Sequence, residues 1–119
     1  MKFYYVYVLK SLREDFLYVG LTEDLKRRLK EHNNQEEPST KHFAPFDIAH
    51  YEAYRNQRDT KKRENYLKTT KGGTTLRYML QSHLSKHIIN PRHSSGFGIT
   101  SLRILLNVIH NIFYFFNIF

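Results

Sequence analysis

The chain has 119 residues, room for one small domain built around one hydrophobic core. It contains no cysteine, which excludes a disulfide scaffold, a cysteine-ligated zinc site and thiol catalysis, and which fits a reducing, cytoplasmic setting. The net charge is +8, and all 11 acidic residues lie at or before Glu64. The later Lys68, Lys71, Arg77, Lys86, Arg92 and Arg103 therefore supply most of the excess, which favours a polyanion partner, nucleic acid first and an anionic membrane surface second.

The opening MKFYYVYVLK lacks the long apolar core and the cleavage site of a signal peptide. Phe3–Lys10 is rich in β-branched and aromatic residues and reads as a strand, with Phe3, Tyr5, Tyr7 and Leu9 on one face and Tyr4, Val6 and Val8 on the other. Two apolar faces suit a central strand. After the polar Ser11–Asp15, the segment Phe16–Gly20 reads as a second strand, and the two form a β-hairpin. If Tyr7 sits directly opposite Tyr18, the hairpin turns at Leu12-Arg13 and both rings share one face.

Thr22-Glu23-Asp24 offers an N-cap followed by acidic residues, and a helix runs through LKRRLKEH to Asn33-Asn34 with Leu25 and Leu29 toward the core. Gln35–Pro45 is polar and irregular, and Phe46–Tyr54 reads as a third strand. Asn56 caps a second helix over Gln57–Thr69. Gly72-Gly73 breaks the chain, and Thr74 caps a third helix carrying Leu76, Leu80 and Leu84. The expected order is β-β-α-β-α-α, an α+β domain over residues 1–87 with a small three-stranded antiparallel sheet flanked by helices. Residues 88–119 form an apolar extension. Its segment Leu102–Phe119 is at the lower limit for a membrane span and carries polar interruptions.

Four features carry chemistry. Tyr7 and Tyr18 bring two phenol hydroxyls close together, and Gly20 ends the second strand where a side chain would obstruct a ligand. Arg28 and His32 stand one turn apart on the first helix, and a guanidinium matches a phosphodiester with two parallel hydrogen bonds. On the second helix, positions 60, 63, 64 and 67 share one inward stripe. Glu64 is thus a partly buried carboxylate that needs Arg63, another cation or a metal as its partner.

The order and spacing of these residues resemble one known family. Tyr5-Val6-Tyr7, ten residues, then Tyr18-Val19-Gly20 is similar to the paired tripeptides that name the GIY-YIG nucleases, with Arg28, His32 and Glu64 following at the family's positions. The middle section Ser39-Thr40-Lys41-His42 resembles that of the short single-domain bacterial members, and the likeness covers about residues 2–84. The resemblance implies a metal-dependent DNA endonuclease. Glu64 would hold one Mg²⁺ or Mn²⁺, Arg28 would bind the scissile phosphate, and Tyr7 or Tyr18 would orient or deprotonate the attacking water, with His32 completing the hydrogen-bond set. Contacts to nucleic acid are expected from Gly20, Lys26, Arg27, Thr40, Lys41, Lys68 and Lys71. Three positions depart from the pattern: Tyr5 replaces the first glycine, Leu21 stands where repair-type members carry a lysine, and Leu76 stands where larger members carry a late asparagine. The rival readings are a non-catalytic nucleic-acid-binding module on the same fold and a membrane-anchored protein. Retention of all five site residues favours the enzyme.

Overall fold

The computed structural model describes residues 1–86. The expected domain boundary at 87 and the apolar extension lie outside the described residues. Met1–His83 form one compact unit. Among the described residues no helix is long and apolar enough to cross a membrane.

Three strands, β1 (Tyr4–Ser11), β2 (Leu17–Thr22) and β3 (Phe46–Tyr54), form an antiparallel sheet in the order β2-β1-β3. The strand with two apolar faces is the central one, as its sequence requires, and it is buried from Val6 to Ser11. Its alternation feeds two cores. Val6 and Val8 pack with Leu67 and Leu76 on one side of the sheet, while Tyr7 and Leu9 pack with Ala44 and Phe46 on the other.

The hairpin register differs from the sequence expectation. Tyr7 lies opposite Gly20, and Tyr18 lies opposite Leu9. The turn is a five-residue loop, Leu12–Phe16, closed by a bond from Ser11 N–H to the Phe16 carbonyl at 3.0 Å. Two polar side chains stabilise this longer loop. The Ser11 hydroxyl accepts from the amides of Arg13 and Glu14, and the buried Lys10 ammonium donates to the carbonyls of Ser11 and Glu14. A slip of two residues preserves side-chain parity, so the Tyr7 and Tyr18 rings still share a face, with centroids 6.1 Å apart.

Helix α1 (Leu25–Asn33) is capped by Asp24, whose carboxylate accepts from the Arg27 amide at 3.0 Å. Thr22 instead makes a local turn, accepting from the Asp24 amide. Asn33 at the end of α1 grips both backbone groups of Phe46, its Oδ1 accepting at 2.6 Å and its Nδ2 donating at 3.1 Å, and so docks the helix onto the start of β3. Between them a short 3₁₀ turn, Lys41–Phe43, interrupts the otherwise irregular segment.

Helix α2 (Gln57–Leu67) is capped by Asn56, as expected, and buries Thr60, Glu64 and Leu67 along one stripe. Glu52 on β3 fixes its orientation. That carboxylate accepts two bonds from the Arg63 guanidinium at 2.9 Å, one from the Tyr54 hydroxyl at 2.6 Å and one from His50 at 3.1 Å. The glycine pair does not break the next helix, which corrects the sequence expectation. Helix α3 (Thr70–Met79) is capped by Thr69, and Gly72 and Gly73 lie buried within it. A Cβ on Gly72 would stand 1.9 Å from the Tyr66 carbonyl oxygen, so this glycine permits close contact between α3 and the end of α2. The Leu76, Leu80, Leu84 stripe is divided at Leu80, the C-cap of α3, and Leu84 belongs to a short helix α4 (Gln81–Lys86).

Candidate active site

Tyr7, Arg28, His32 and Thr40 form one chain of hydrogen bonds beneath α1. Arg28 Nε–H donates to the Tyr7 hydroxyl at 3.1 Å, and His32 Nε2 lies 3.0 Å from the same oxygen. His32 Nδ1 lies 2.7 Å from the Thr40 hydroxyl, which can itself donate to the Glu37 carbonyl. These partners favour one arrangement: Nδ1–H donates to Thr40, and Nε2 accepts the Tyr7 proton. His32 is fully buried, and its pKa is lowered by burial and by the Arg28 charge, which keeps the imidazole neutral. Burial pushes the Tyr7 phenol well above its ordinary value, against the pull of Arg28.

Gly20 explains how the Tyr7 ring fits. Its position directly opposite Tyr7 leaves space for the ring to lie across β2, and a Cβ there would come 2.4 Å from the phenolic oxygen. Tyr18 packs at the side, its ring 4.9 Å from that of His32.

Arg28 is bracketed by acids. Its Nη1 donates to Glu31 and its Nη2 to Glu37, each at 2.9 Å. Burial opposes its charge, but the bonds to Glu31, Tyr7 and Glu37 outweigh that cost and raise its pKa further. Glu31 and Glu37 are in turn lowered, chiefly by bonding to Arg28.

Glu64 reaches the same place from α2. It is 5% exposed; burial raises its pKa, and bonds from Lys61 at 2.5 Å and Lys68 at 2.7 Å bring it below the usual carboxylate value. Arg63, one of the partners considered from sequence, is engaged by Glu52 instead.

A cleft of about 440 Å³ unites these elements. Tyr7, Tyr18, Gly20, Leu21, Arg28, Gln57, Arg58, Lys61 and Glu64 line it. Of the expected site residues, Tyr7, Tyr18, Arg28 and Glu64 therefore share one cavity, and His32 supports it from behind Tyr7. Of the expected nucleic-acid contacts, Gly20 lies in the cleft, while Lys26, Arg27, Lys41, Lys68 and Lys71 are exposed outside its lining. Thr40 departs from expectation: it is fully buried and holds His32, so it positions the imidazole and presents no surface to a ligand. Sequence reasoning misses Gln57, Arg58 and Lys61 on the α2 wall, as well as Glu31 and Glu37. Lys61 and Lys68 stand three before and four after Glu64, a helical spacing that signals ion pairing.

The donor set bears on a metal. Among the described residues no group of three or more His, Cys, Asp or Glu side chains gathers to hold an ion. Any cation in the cleft would rest on the one Glu64 carboxylate, with the Tyr18 hydroxyl and the Gln57 amide as further oxygen donors. That set fits a hard cation that keeps most of its waters, as Mg²⁺ does, and not one that demands soft or imidazole ligands.

A three-stranded antiparallel sheet flanked by helices, with arginine, phenol and carboxylate converging in one cleft, defines a small α+β domain with a polar site at the sheet face. Residues 3–78 match the family model for the GIY-YIG catalytic domain, and the chain belongs to the GIY-YIG family. It is similar to a UPF0213 protein of Clostridium perfringens (strain 13 / Type A), 37% identical over 65 residues, covering 54% of this chain and 69% of that protein. A UPF0213 protein of Haloquadratum walsbyi is 32% identical over 68 residues, covering 56% and 75% of the two chains. The solution NMR structure of a UPF0213 protein from Bacillus halodurans aligns with a TM-score of 0.42 at 24% identity, covering 65% of this chain and 84% of that one.

Proposed function

We propose that this domain is a metal-dependent DNA endonuclease that hydrolyses phosphodiester bonds. The observation that carries the reading is the Tyr7 hydroxyl, held between a donor on Arg28 and an acceptor on His32 in the wall of the cleft that also contains Glu64.

The residues divide the chemistry as follows. A phosphodiester in the cleft meets the Arg28 guanidinium, which stabilises the charge that builds on the phosphate oxygens. An attacking water that donates to Tyr7 transfers its proton to the phenolic oxygen as the Tyr7 proton passes to His32 Nε2. The new P–O bond forms and the bond to the leaving oxygen breaks; the leaving oxygen takes up a proton from solvent, and His32 returns its extra proton through Tyr7 to water in the cleft. This relay avoids a free phenolate, which the burial of Tyr7 disfavours, and uses the neutral imidazole that burial and Arg28 maintain. Thr40 fixes the imidazole tautomer. Glu64 would hold Mg²⁺ or Mn²⁺, which when bound supplies Lewis-acid neutralisation of the phosphate charge.

The test is cleavage of plasmid and single-stranded DNA at low salt with Mg²⁺ or Mn²⁺, comparing wild type with Glu64→Ala and Tyr7→Phe. Metal-requiring cleavage that both substitutions abolish supports the enzyme. DNA that is bound yet left intact across substrates and metals replaces it with a binding module on the same fold.

A further inference from the structure

Both oxygens of Glu64 are occupied by lysines of its own helix region, Lys61 on Oε2 and Lys68 on Oε1. The burial of the partners is uneven. The Glu64 side chain is 6% exposed, while Lys61 and Lys68 retain 59% and 43%. A buried carboxylate is thus satisfied by two ammonium groups that reach in from solvent on flexible stems.

The two lysines are not equivalent. Lys61 lines the cleft beside Tyr7, Arg28 and Glu64, and Lys68 does not. Neighbouring cations on the helix are engaged elsewhere: Arg63 grips Glu52, and Lys62 pairs with Asp59 at 3.7 Å.

A divalent ion and an ammonium compete for the same carboxylate lone pairs. A buried carboxylate cannot be left bare, so its counter-ion must be exchanged and not merely removed. An exposed ammonium leaves at low cost because water rehydrates it as it goes.

We infer that Lys61 and Lys68 are exchangeable counter-ions of Glu64. They hold the carboxylate in the cleft before a metal arrives and yield it to the divalent ion, after which Lys61 alone transfers to a phosphate of the bound nucleic acid. The inference rests on the reading of Glu64 as the metal ligand. It makes metal and nucleic acid bind with positive coupling through Lys61, and by linkage each strengthens the other equally.

The test begins with Mn²⁺ titrated into the full chain, followed by calorimetry and by the electron paramagnetic resonance signal of free Mn²⁺. Lys61→Gln and Lys68→Gln should each tighten Mn²⁺ binding by roughly three- to tenfold, the scale of a partly exposed ion pair. Lys62→Gln, with the same loss of charge on the same helix, should leave it nearly unchanged. Glu64→Gln should abolish it. Oligonucleotide binding is then read by fluorescence anisotropy in a Tyr7→Phe background, which keeps the probe intact. Mn²⁺ should tighten binding there, and adding Lys61→Gln should remove most of that gain, whereas adding Lys68→Gln should not.

Equal effects of Lys61→Gln, Lys68→Gln and Lys62→Gln on Mn²⁺ affinity overturn the exchange, and the metal reading survives provided Glu64→Gln still abolishes binding. Mn²⁺ binding to Glu64→Gln as to wild type overturns the metal reading and the exchange together.

Discussion

Gly20 and Tyr7 face each other across β2 and β1 so closely that any side chain at position 20 would occupy the place of the phenol, its Cβ falling 2.4 Å from the hydroxyl oxygen and 2.5 Å from Cζ. The ring cannot simply swing aside, because it is fully buried and bonded on both sides, to Arg28 and His32. Gly20→Ala should therefore displace the Tyr7 hydroxyl. DNA cleavage is expected to fall by about tenfold or more, the scale of a misplaced reacting group. Overpacking should cost about 1–3 kcal/mol of stability. Cleavage rates and urea unfolding midpoints measured on the same preparations check both.

Glu37 stands where a phosphate must come to use the full fork of Arg28, since it already accepts from Nη2. Glu37→Gln weakens that hold. Binding of a DNA oligonucleotide at low salt is expected to tighten by roughly two- to fivefold, as a charged hydrogen bond gives way to a neutral one. Glu36→Gln, which removes the same charge one residue away but not from Arg28, is the control. Equal shifts in the two variants would reduce the effect to net charge.

Glu52 gives the clearest dependence on pH. Burial alone would raise its pKa, but bonds from Arg63, Tyr54 and His50 outweigh burial and bring it down to about 2. The folded state therefore resists protonation more than the unfolded one. Its contribution to stability is complete above the ordinary carboxylate value of 4.5 and is lost as pH falls toward about 2. Glu52→Gln should lower stability at neutral pH by about 1–3 kcal/mol and flatten the acid limb of the stability curve. Urea midpoints for both proteins between neutral pH and the acid transition test this. Parallel curves would show that the network contributes nothing specific.

Gly72→Ala tests the contact between α2 and α3. The added methyl meets backbone, the Tyr66 carbonyl oxygen at 1.9 Å, so relief requires the helices to separate. A loss of about 3 kcal/mol or more is expected, visible as a lower melting temperature.

What the sequence disclosed depended on whether a signal was local. Alternation along Val6, Tyr7, Val8 and Leu9 is sufficient to identify a central strand and to put Tyr7 and Tyr18 on one face. Register is another matter, because it depends on the Lys10 ammonium reaching loop carbonyls, a contact that no spacing rule indicates. Read from sequence, Thr74 follows the glycine pair as the cap and Thr69 falls inside the second helix, whereas in the fold Thr69 caps α3. Thr69 prevails because Gly72 lets α3 begin against the end of α2, a tertiary contact that makes a glycine pair resemble a break. In the site, the order of Tyr7, Tyr18, Arg28, His32 and Glu64 is legible as a pattern. Thr40 is not, because its task is to hold His32 across the Gln35–Pro45 segment. Glu37 looks like an ordinary solvated acid until the fold brings it to Arg28, whereas Glu31 pairs with Arg28 at helical spacing on α1.

The central strand of the sheet is also the first of the three in chain order. During synthesis at about 5–20 residues per second, Tyr7 leaves the ribosome several seconds before Glu64, and its partners arrive one after another: Gly20, then Arg28 and His32, then Thr40, then β3. A growing chain thus holds a hydroxyl with no carboxylate across from it, and the cleft closes only when α2 docks. The cleft lacks its α2 wall until Gln57–Leu67 has been synthesised.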